Sequence, residues 1–133
     1  MKLEPNVWFD EVVKTYHLIS PHIHHTQLVT CPDLNEELNG RFLFKPESLQ
    51  ITGSFKVRGA LSAISRLSKD ELKRGVIAYS SGNHAQGVAH AAKVFNTPAT
   101  VVMPKDAPER KIANAKALGA QVIHYDRRTE SRE

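Results

Sequence analysis

The sequence has little of several features that define whole classes of protein. It contains a single cysteine, Cys31, among its 133 residues, which excludes an internal disulfide framework and any zinc site built on several cysteines. No apolar run approaches the roughly 20 residues that span a bilayer. The first residues also lack the apolar core of a secretory signal. We therefore expect a cytoplasmic protein with no membrane partner.

Charge of one sign is not concentrated anywhere along the chain. Lysine and arginine number 18 against 14 acidic residues, so the formal net charge is +4, but most basic residues have an acidic neighbour in the sequence. No block of about five like charges occurs, and the five Phe, three Tyr and one Trp do not alternate with basic residues as a base-stacking surface would require. These features predict a globular domain with no nucleic-acid partner.

The first half of the chain combines helical segments with irregular ones. Apolar residues at helical spacing predict a helix over residues 6–19, and a connector rich in proline and histidine follows. Asn39-Gly40 is a turn signal that precedes a short aromatic strand at residues 41–45. A helix is expected from Ser54 to Leu67, with Ser54 as its N-cap.

From residue 68 onward, the pattern alternates regularly between helix and strand. Ser68 and Glu71 form a capping box for a short helix that Gly75 ends. Strands are predicted at residues 76–79, 99–103 and 121–125, separated by helices at 83–95 and from Pro108 to Gly119. This order is typical of an α/β fold: a parallel βαβαβ sheet with right-handed crossovers.

The first stretch that could carry catalytic chemistry is residues 45–60, which contain Lys56. Gly53 permits a sharp entry into the following helix, and Lys56 then lies in its first turn. A cation there faces the positive end of the helix dipole, at a cost of about 1 kcal/mol at most. Burial beside Phe55 and Leu49 would have to make the amine a nucleophile. The alternative is an exposed lysine that merely tolerates this position.

The second stretch, residues 79–89, follows a predicted buried strand and opens a helix. Free backbone N–H groups in this setting bind anions. The glycine spacing fits neither a dinucleotide-binding nor a Walker-type loop. Ser81, Asn83 and His84 could therefore help to hold a carboxylate. Simple helix capping by Ser81 or Asn83 is the alternative interpretation.

Taken together, the two stretches resemble the threonine/serine dehydratase family. The resemblance is carried by Thr-Gly-Ser-Phe-Lys-x-Arg-Gly-Ala at residues 52–60 and by Ser-Ser-Gly-Asn-His-Ala-Gln-Gly at residues 80–87. Further similarity covers roughly residues 18–126. The family belongs to the fold type II pyridoxal-phosphate enzymes, which are similar to the tryptophan synthase β subunit and include serine racemase. The resemblance implies a sheet with helices on both faces and pyridoxal 5′-phosphate as the cofactor.

The resemblance also implies a role for each matching residue. Lys56 would form the Schiff base with the cofactor, Phe55 would pack beside its pyridine ring, and Asn83 would hydrogen-bond its 3′-oxygen. The substrate carboxylate would be held by Ser81, Gly82, Asn83 and His84. In serine racemase relatives, the serine that matches Ser81 also acts as an acid and base on the opposite face of the substrate.

The implied activity is β-elimination of threonine or serine to a 2-oxo acid and ammonia, with an amino acid as the small-molecule substrate. Serine racemase is the alternative among enzymes, and a truncated product that binds or associates without catalysis is the alternative of another class. The family has Thr-Pro-Leu where this chain has Thr26-Gln27-Leu28, a change that affects no implied ligand.

The resemblance also leads us to expect part of a longer enzyme. Residues 1–75 would belong to the larger pyridoxal-phosphate domain and residues 76–133 to the smaller βαβαβ domain. The family's glycine-rich phosphate loop lies further downstream, so we expect this chain to be inactive by itself. The intact enzyme would be a homo-oligomer. We predict no metal site, because the histidines at positions 22, 24 and 25 have no neighbouring cysteine or carboxylate to complete a ligand set.

Overall fold

Three parallel strands form the sheet at the centre of this chain, in a computed structural model that describes residues 5–131. They are β1 (Val76–Tyr79), β2 (Ala99–Pro104) and β3 (Gln121–Tyr125), and they lie side by side in chain order. Ala78 is in register with Val101, which is in register with Val122. The predicted parallel βαβαβ arrangement is therefore confirmed.

Helices occupy most of the remaining regular structure. None of those within residues 5–131 is both long and apolar enough to cross a membrane. In this range they are α1 (Pro5–Ile19), α2 (Pro32–Glu37), α3 (Lys56–Ile64), α4 (Lys69–Arg74), α5 (Asn83–Val94) and α6 (Glu109–Ala117). The capping box of α4 forms as predicted, since Ser68 and Glu71 bond each other's backbone N–H groups.

The two crossover helices lie on the same face of the sheet. α5 contacts β1 and β2, α6 contacts β3, and the two helices pack against each other. Strands in chain order joined by right-handed crossovers require this arrangement. α5 and α6 thus supply the helices of one face of the predicted sheet. The opposite face carries Ile77, Tyr79 and Ile123, which are 72%, 50% and 45% exposed.

The core is built where α3 packs across α5. Val57 and Leu61 of α3 are fully buried against the small side chains of α5, which include Ala85 and Ala89. Val101 of β2 is buried in the same cluster. Because this cluster contains residues from both sides of position 75, the described residues share one hydrophobic core. The division into domains at residue 75 stays a prediction.

One local prediction was wrong. Residues 41–45 do not form a strand, because among the described residues Phe44 pairs only with Val29, in an isolated antiparallel bridge. α3 begins at Lys56, within two residues of the start expected near Ser54. Ser54 has an extended backbone, and its hydroxyl accepts a long hydrogen bond of 3.4 Å from the N–H of Lys56, in the first turn of the helix. The Phe55 side chain, which immediately precedes α3, makes no capping hydrogen bond.

Gly87 allows α3 and α5 to approach closely. A β-carbon at this position would lie 3.1 Å from the carbonyl carbon of Lys56 and 3.2 Å from the nitrogen of Val57. Contacts this short with backbone atoms cannot be relieved by rotating a side chain. The absence of a side chain at Gly87 therefore sets the distance between α5 and the start of α3.

We predict opposite effects for two glycine-to-alanine substitutions. Gly87→Ala should lower the free energy of unfolding by about 1–3 kcal/mol, because the methyl group overpacks the α3–α5 contact. Gly59→Ala, inside α3, should raise it by up to about 1 kcal/mol through helix propensity, since a β-carbon there meets no atom within 4 Å. Urea unfolding followed by circular dichroism measures both values. Equal stability of the two variants would contradict this account of the packing.

Candidate active site

Lys56 is the first residue of α3 and borders an open cavity. Its side chain is exposed, and Nζ lies 4.8 Å from the centre of the Phe55 ring. Within residues 5–131, Nζ makes no hydrogen bond or ion pair. The cavity measures about 410 Å³ and is lined by Phe55, Lys56, Arg58, Gly59, Ala60 and His84. Of the two alternatives for Lys56, the described residues form the exposed one, and the Phe55 and Leu49 side chains are themselves 58% and 69% exposed.

The chain reverses sharply just before Lys56. Thr52 and Gly53 both have left-handed backbones, with φ angles of 65° and 69°, and the N–H of Gly53 donates to the carbonyl of Gln50 at 2.7 Å. Glycine adopts this conformation readily, as the sequence predicted, but a β-branched residue rarely does. The Thr52 hydroxyl is buried with no partner in the described structure. Sequence reasoning missed this strained threonine.

The loop between β1 and α5 presents free backbone donors. Gly82 is the N-cap residue of α5, and no side chain caps the helix, so capping by Ser81 or Asn83 is excluded as the purpose of the motif. The N–H groups of Asn83 and His84 have no acceptor among residues 5–131, as expected for the first turn of a helix. Such an end favours an anion.

The structure brings the predicted site residues together to different degrees. Phe55, Lys56 and His84 line one cavity. Asn83 is exposed and lies one turn before Gly87, which contacts the Lys56 backbone, so Asn83 shares the face of α5 that α3 meets. Ser81 and Gly82 are partly buried in the loop that leads into α5. The Ser81 hydroxyl makes no hydrogen bond within the described residues.

Lys111, on α6, is a site neighbour that sequence reasoning did not assign. Its Nζ donates a 2.6 Å hydrogen bond to Oδ1 of Asn83. A signal for this contact does exist in the sequence. α5 and α6 follow neighbouring parallel strands, so their N-termini lie at the same edge of the sheet.

A second unpredicted feature is a partly buried ion pair beside the cavity. Glu47 accepts hydrogen bonds from Nε and Nη2 of Arg58 at 2.7 and 2.8 Å, and from the Thr26 hydroxyl at 2.7 Å. The Arg58 hydrogen bonds, with that from Thr26, lower the pKa of Glu47 to about 2. Through Arg58, this network joins the first turn of α3 to Glu47 and Thr26 in the segments that precede the helix. Arg58 is only two residues beyond Lys56.

The histidines of the connector have separate structural roles. The His22 ring packs edge-on against Phe95, and Nδ1 of His25 lies 3.2 Å from the Tyr16 hydroxyl. The backbone of His24 is held by the buried side chain of Gln50, which accepts from its N–H and donates to its carbonyl, both at 2.8 Å. Nδ1 of the His24 ring lies 3.2 Å from the Leu49 carbonyl oxygen, so the three rings point to different partners.

Comparison with known proteins identifies the family to which this chain belongs. Residues 19–133 match the family described as "Pyridoxal-phosphate dependent enzyme". The chain belongs to this family, which confirms the fold type and, at the level of the family, pyridoxal 5′-phosphate as the cofactor.

Similar proteins include members with different activities. The chain is 45% identical to an L-threo-3-hydroxyaspartate ammonia-lyase from Saccharomyces cerevisiae over 94% of its own length and 38% of the relative's. It is 47% identical to an L-threonine ammonia-lyase from Thermotoga maritima, over 88% of the chain and 29% of that protein. The structure of maize serine racemase superposes with a TM-score of 0.86 at 36% identity, over 92% of this chain and 37% of the racemase. The chain thus spans about two fifths or less of these proteins' lengths.

The described residues around Lys56 form one side of a site, and that side fits the family's cofactor. The cavity lies within the size range of small-molecule sites, about 300–1,000 Å³. It offers an unpaired primary amine beside an aromatic ring. A β-carbon at Gly59 would meet no protein atom within 4 Å, so this wall leaves room for a flat ring. Lys56, Phe55 and Asn83 are the residues that would hold the group.

We predict that the Glu47–Arg58 pair makes stability depend on pH. The folded-state pKa of Glu47 lies below its ordinary value of 4.5, at about 2. Its contribution is therefore present above pH 4.5 and is lost as the pH falls towards 2. Glu47→Gln should lower the free energy of unfolding at pH 7 by about 2–3 kcal/mol and flatten its pH dependence below pH 4.5.

Denaturant unfolding between pH 3 and pH 7 measures this effect. Glu36→Gln is the control, since Glu36 is an exposed acid on α2 without an ion pair in the described part of the chain. Parallel pH profiles for Glu47→Gln and the unsubstituted protein would contradict the assignment.

Proposed function

We propose that this protein takes part in a pyridoxal-phosphate-dependent ammonia-lyase reaction on a β-hydroxy amino acid, with threonine or serine as the substrate. The names of its similar proteins support this substrate class, because threonine, serine and 3-hydroxyaspartate all carry a hydroxyl on the β-carbon. The observation that carries the proposal is the unpaired Lys56 amine, on a cavity shared with Phe55 and His84.

Lys56 has two roles in this proposal. Its Nζ would hold the cofactor as the attached amine, and the same amine would serve as the base for the substrate's α-proton. The cofactor, when bound, supplies an electron-withdrawing ring that stabilises negative charge at the substrate α-carbon. Phe55 would form one wall beside the cofactor and exclude water from that side.

The loop at residues 81–84 orients the substrate. The free N–H groups of Asn83 and His84, together with the Ser81 hydroxyl, donate hydrogen bonds to the substrate carboxylate. Gly82 leaves space for it, since a β-carbon there would have no neighbour within 4 Å. The carboxylate then lies beside α5, and the α-carbon faces Lys56.

The net reaction balances without an oxidant or reductant. The substrate loses its α-hydrogen and its β-hydroxyl as one molecule of water. The resulting enamine tautomerises to an imine, which takes up one molecule of water and releases ammonia. Threonine gives 2-oxobutanoate and serine gives pyruvate.

We expect Lys56→Ala to abolish covalent attachment of the cofactor, because no other side chain replaces the amine. The test uses the longest natural form of the protein, mixed with pyridoxal 5′-phosphate. The visible absorbance band of lysine-bound pyridoxal is recorded, and borohydride reduction is followed by peptide mapping. The unsubstituted protein should carry the label on Lys56.

Lys69→Ala is the matched control, since Lys69 is an exposed lysine on α4. It should label like the unsubstituted protein. A label on another side chain, or identical spectra for Lys56→Ala and the unsubstituted protein, would overturn the proposal. The second of these results would favour the non-catalytic alternative.

Serine racemase is the second candidate, and Ser81 is the observation that favours it. Its hydroxyl has no hydrogen bond within residues 5–131 and lies in the loop that leads into α5. A hydroxyl in this place can return a proton to the face of the α-carbon opposite Lys56. A racemase needs this second proton donor, whereas β-elimination does not.

We predict that Ser81→Ala separates the two reactions. If the enzyme racemises serine, the variant should lose D-serine formation by about 100-fold or more, whereas 2-oxo acid formation should fall far less, through the lost hydrogen bond to the substrate carboxylate alone. Ser80→Ala is the control, since it removes only the 3.2 Å hydrogen bond to the N–H of Gly82 and should leave the product ratio unchanged. D-serine is measured by chiral chromatography, and pyruvate is measured by a separate 2-oxo acid assay. A D-serine yield that falls no more than pyruvate would rule out Ser81 as the second acid and base.

A further inference from the structure

We propose that Lys111 is a positioning residue that fixes the side-chain amide of Asn83 with its NH₂ group turned towards the cofactor. This inference rests on the proposed function, because it assigns a purpose to the amide orientation at the same site. Lys111 acts through Asn83 and touches neither substrate nor cofactor.

The chemistry of the contact determines which way the amide points. Nζ of Lys111 lies 2.6 Å from Oδ1 of Asn83. A lysine ammonium can donate hydrogen bonds but cannot accept them, so only the amide oxygen can face it. The two N–H donors of Asn83 are therefore held on the side away from α6.

A second contact, one turn further along, holds the two helices in the same register. Nδ2 of Asn114 donates to Oε1 of Gln86 at 2.9 Å. Asn114 and Gln86 follow Lys111 and Asn83 by three residues, which places each pair on one helix face. Gln86 is only 4% exposed, so this second contact is anchored in the core. Lys111 is thus brought to Asn83 by the packing of α6 on α5.

The orientation matters because the implied partner of Asn83, the cofactor's 3′-oxygen, is an acceptor. A side-chain amide can rotate by 180° and present either its oxygen or its NH₂ group. Held by Lys111, Asn83 presents the donor. Without Lys111, the exposed amide is free to present an oxygen, which repels the acceptor.

Substitutions at position 111 test this role by changing whether the side chain donates or accepts a hydrogen bond. Lys111→Arg keeps a donor and should bind pyridoxal 5′-phosphate within about twofold of the unsubstituted protein. Lys111→Met removes the donor and should weaken binding about 3- to 10-fold. The Lys111→Glu carboxylate can only accept hydrogen bonds, so it would hold the NH₂ group of Asn83 away from the cofactor. This variant should therefore weaken binding more than Lys111→Met does.

Two measurements are made on the longest natural form of the protein. The cofactor dissociation constant is obtained by fluorescence titration, with thermal unfolding as the check on folding. Side-chain amide resonances of Asn83 are recorded without the cofactor and assigned with Asn83→Asp. They should shift in Lys111→Met and Lys111→Glu and remain in place in Arg110→Met, because Arg110 is an exposed neighbour on another face of α6.

The controls separate amide orientation from loss of charge and from loss of a helix contact. Arg110→Met and Arg110→Glu repeat the charge changes one residue away, and equal weakening by them would overturn the proposal. If Lys111→Glu binds better than Lys111→Met, the residue is merely a bridge between helices, and the proposal fails. Unshifted Asn83 resonances in Lys111→Met would overturn it even if the cofactor does not bind. If Lys56→Ala loses the label but the Lys111 variants bind the cofactor normally, the proposed function stands and only the inference about Lys111 fails.

Discussion

The position of Lys56 depends on one close contact between two helices. Its backbone lies directly on α5, where Gly87 has no side chain to hold it away. Because α5 begins where β1 and its loop end, the same contact fixes the lysine relative to the free N–H groups of Asn83 and His84. The burial of Val57 and Leu61 against α5 supplies the energy that maintains this approach. The amine and the loop that leads into α5 are thus placed by packing and not by a bond between them.

The parallel sheet accounts for the position of Lys111 at the candidate site. In neighbouring parallel strands the carboxyl ends lie at one edge, and the helix that follows each strand starts there. β1 and β2 are neighbours, so the first turns of α5 and α6 are neighbours too. This places Lys111 beside Asn83, although 28 residues separate them in the sequence.

The predictable parts of this protein are those that depend on local pattern. The three strands, the capping box at Ser68 and the position of Lys56 in a first helical turn follow from spacing and turn chemistry. The strand expected at residues 41–45 was wrong, because within residues 5–131 it forms only an isolated bridge, between Phe44 and Val29. The ion pair of Glu47 and Arg58 could not be predicted, since it joins residues 11 apart across an irregular segment. The left-handed backbone of Thr52 opposes the residue's intrinsic preference, so only the surrounding structure can impose it.

Under the proposed function, the charges around the cavity match the groups that the proposed substrates have in common. Lys56, Arg58 and His84 line the cavity, and no acidic side chain of residues 5–131 does so. Arg58 is neutralised by Glu47, which leaves the Lys56 amine and the positive ends of α3 and α5 to set the local field. In the proposed reaction, that field would attract the substrate carboxylate towards α5, with the α-carbon next to Lys56. These are the groups that serine, threonine and 3-hydroxyaspartate have in common. In the proposed site, the described residues would therefore face the groups that the three substrates share. This is consistent with the chain's similarity to proteins named for all three substrates.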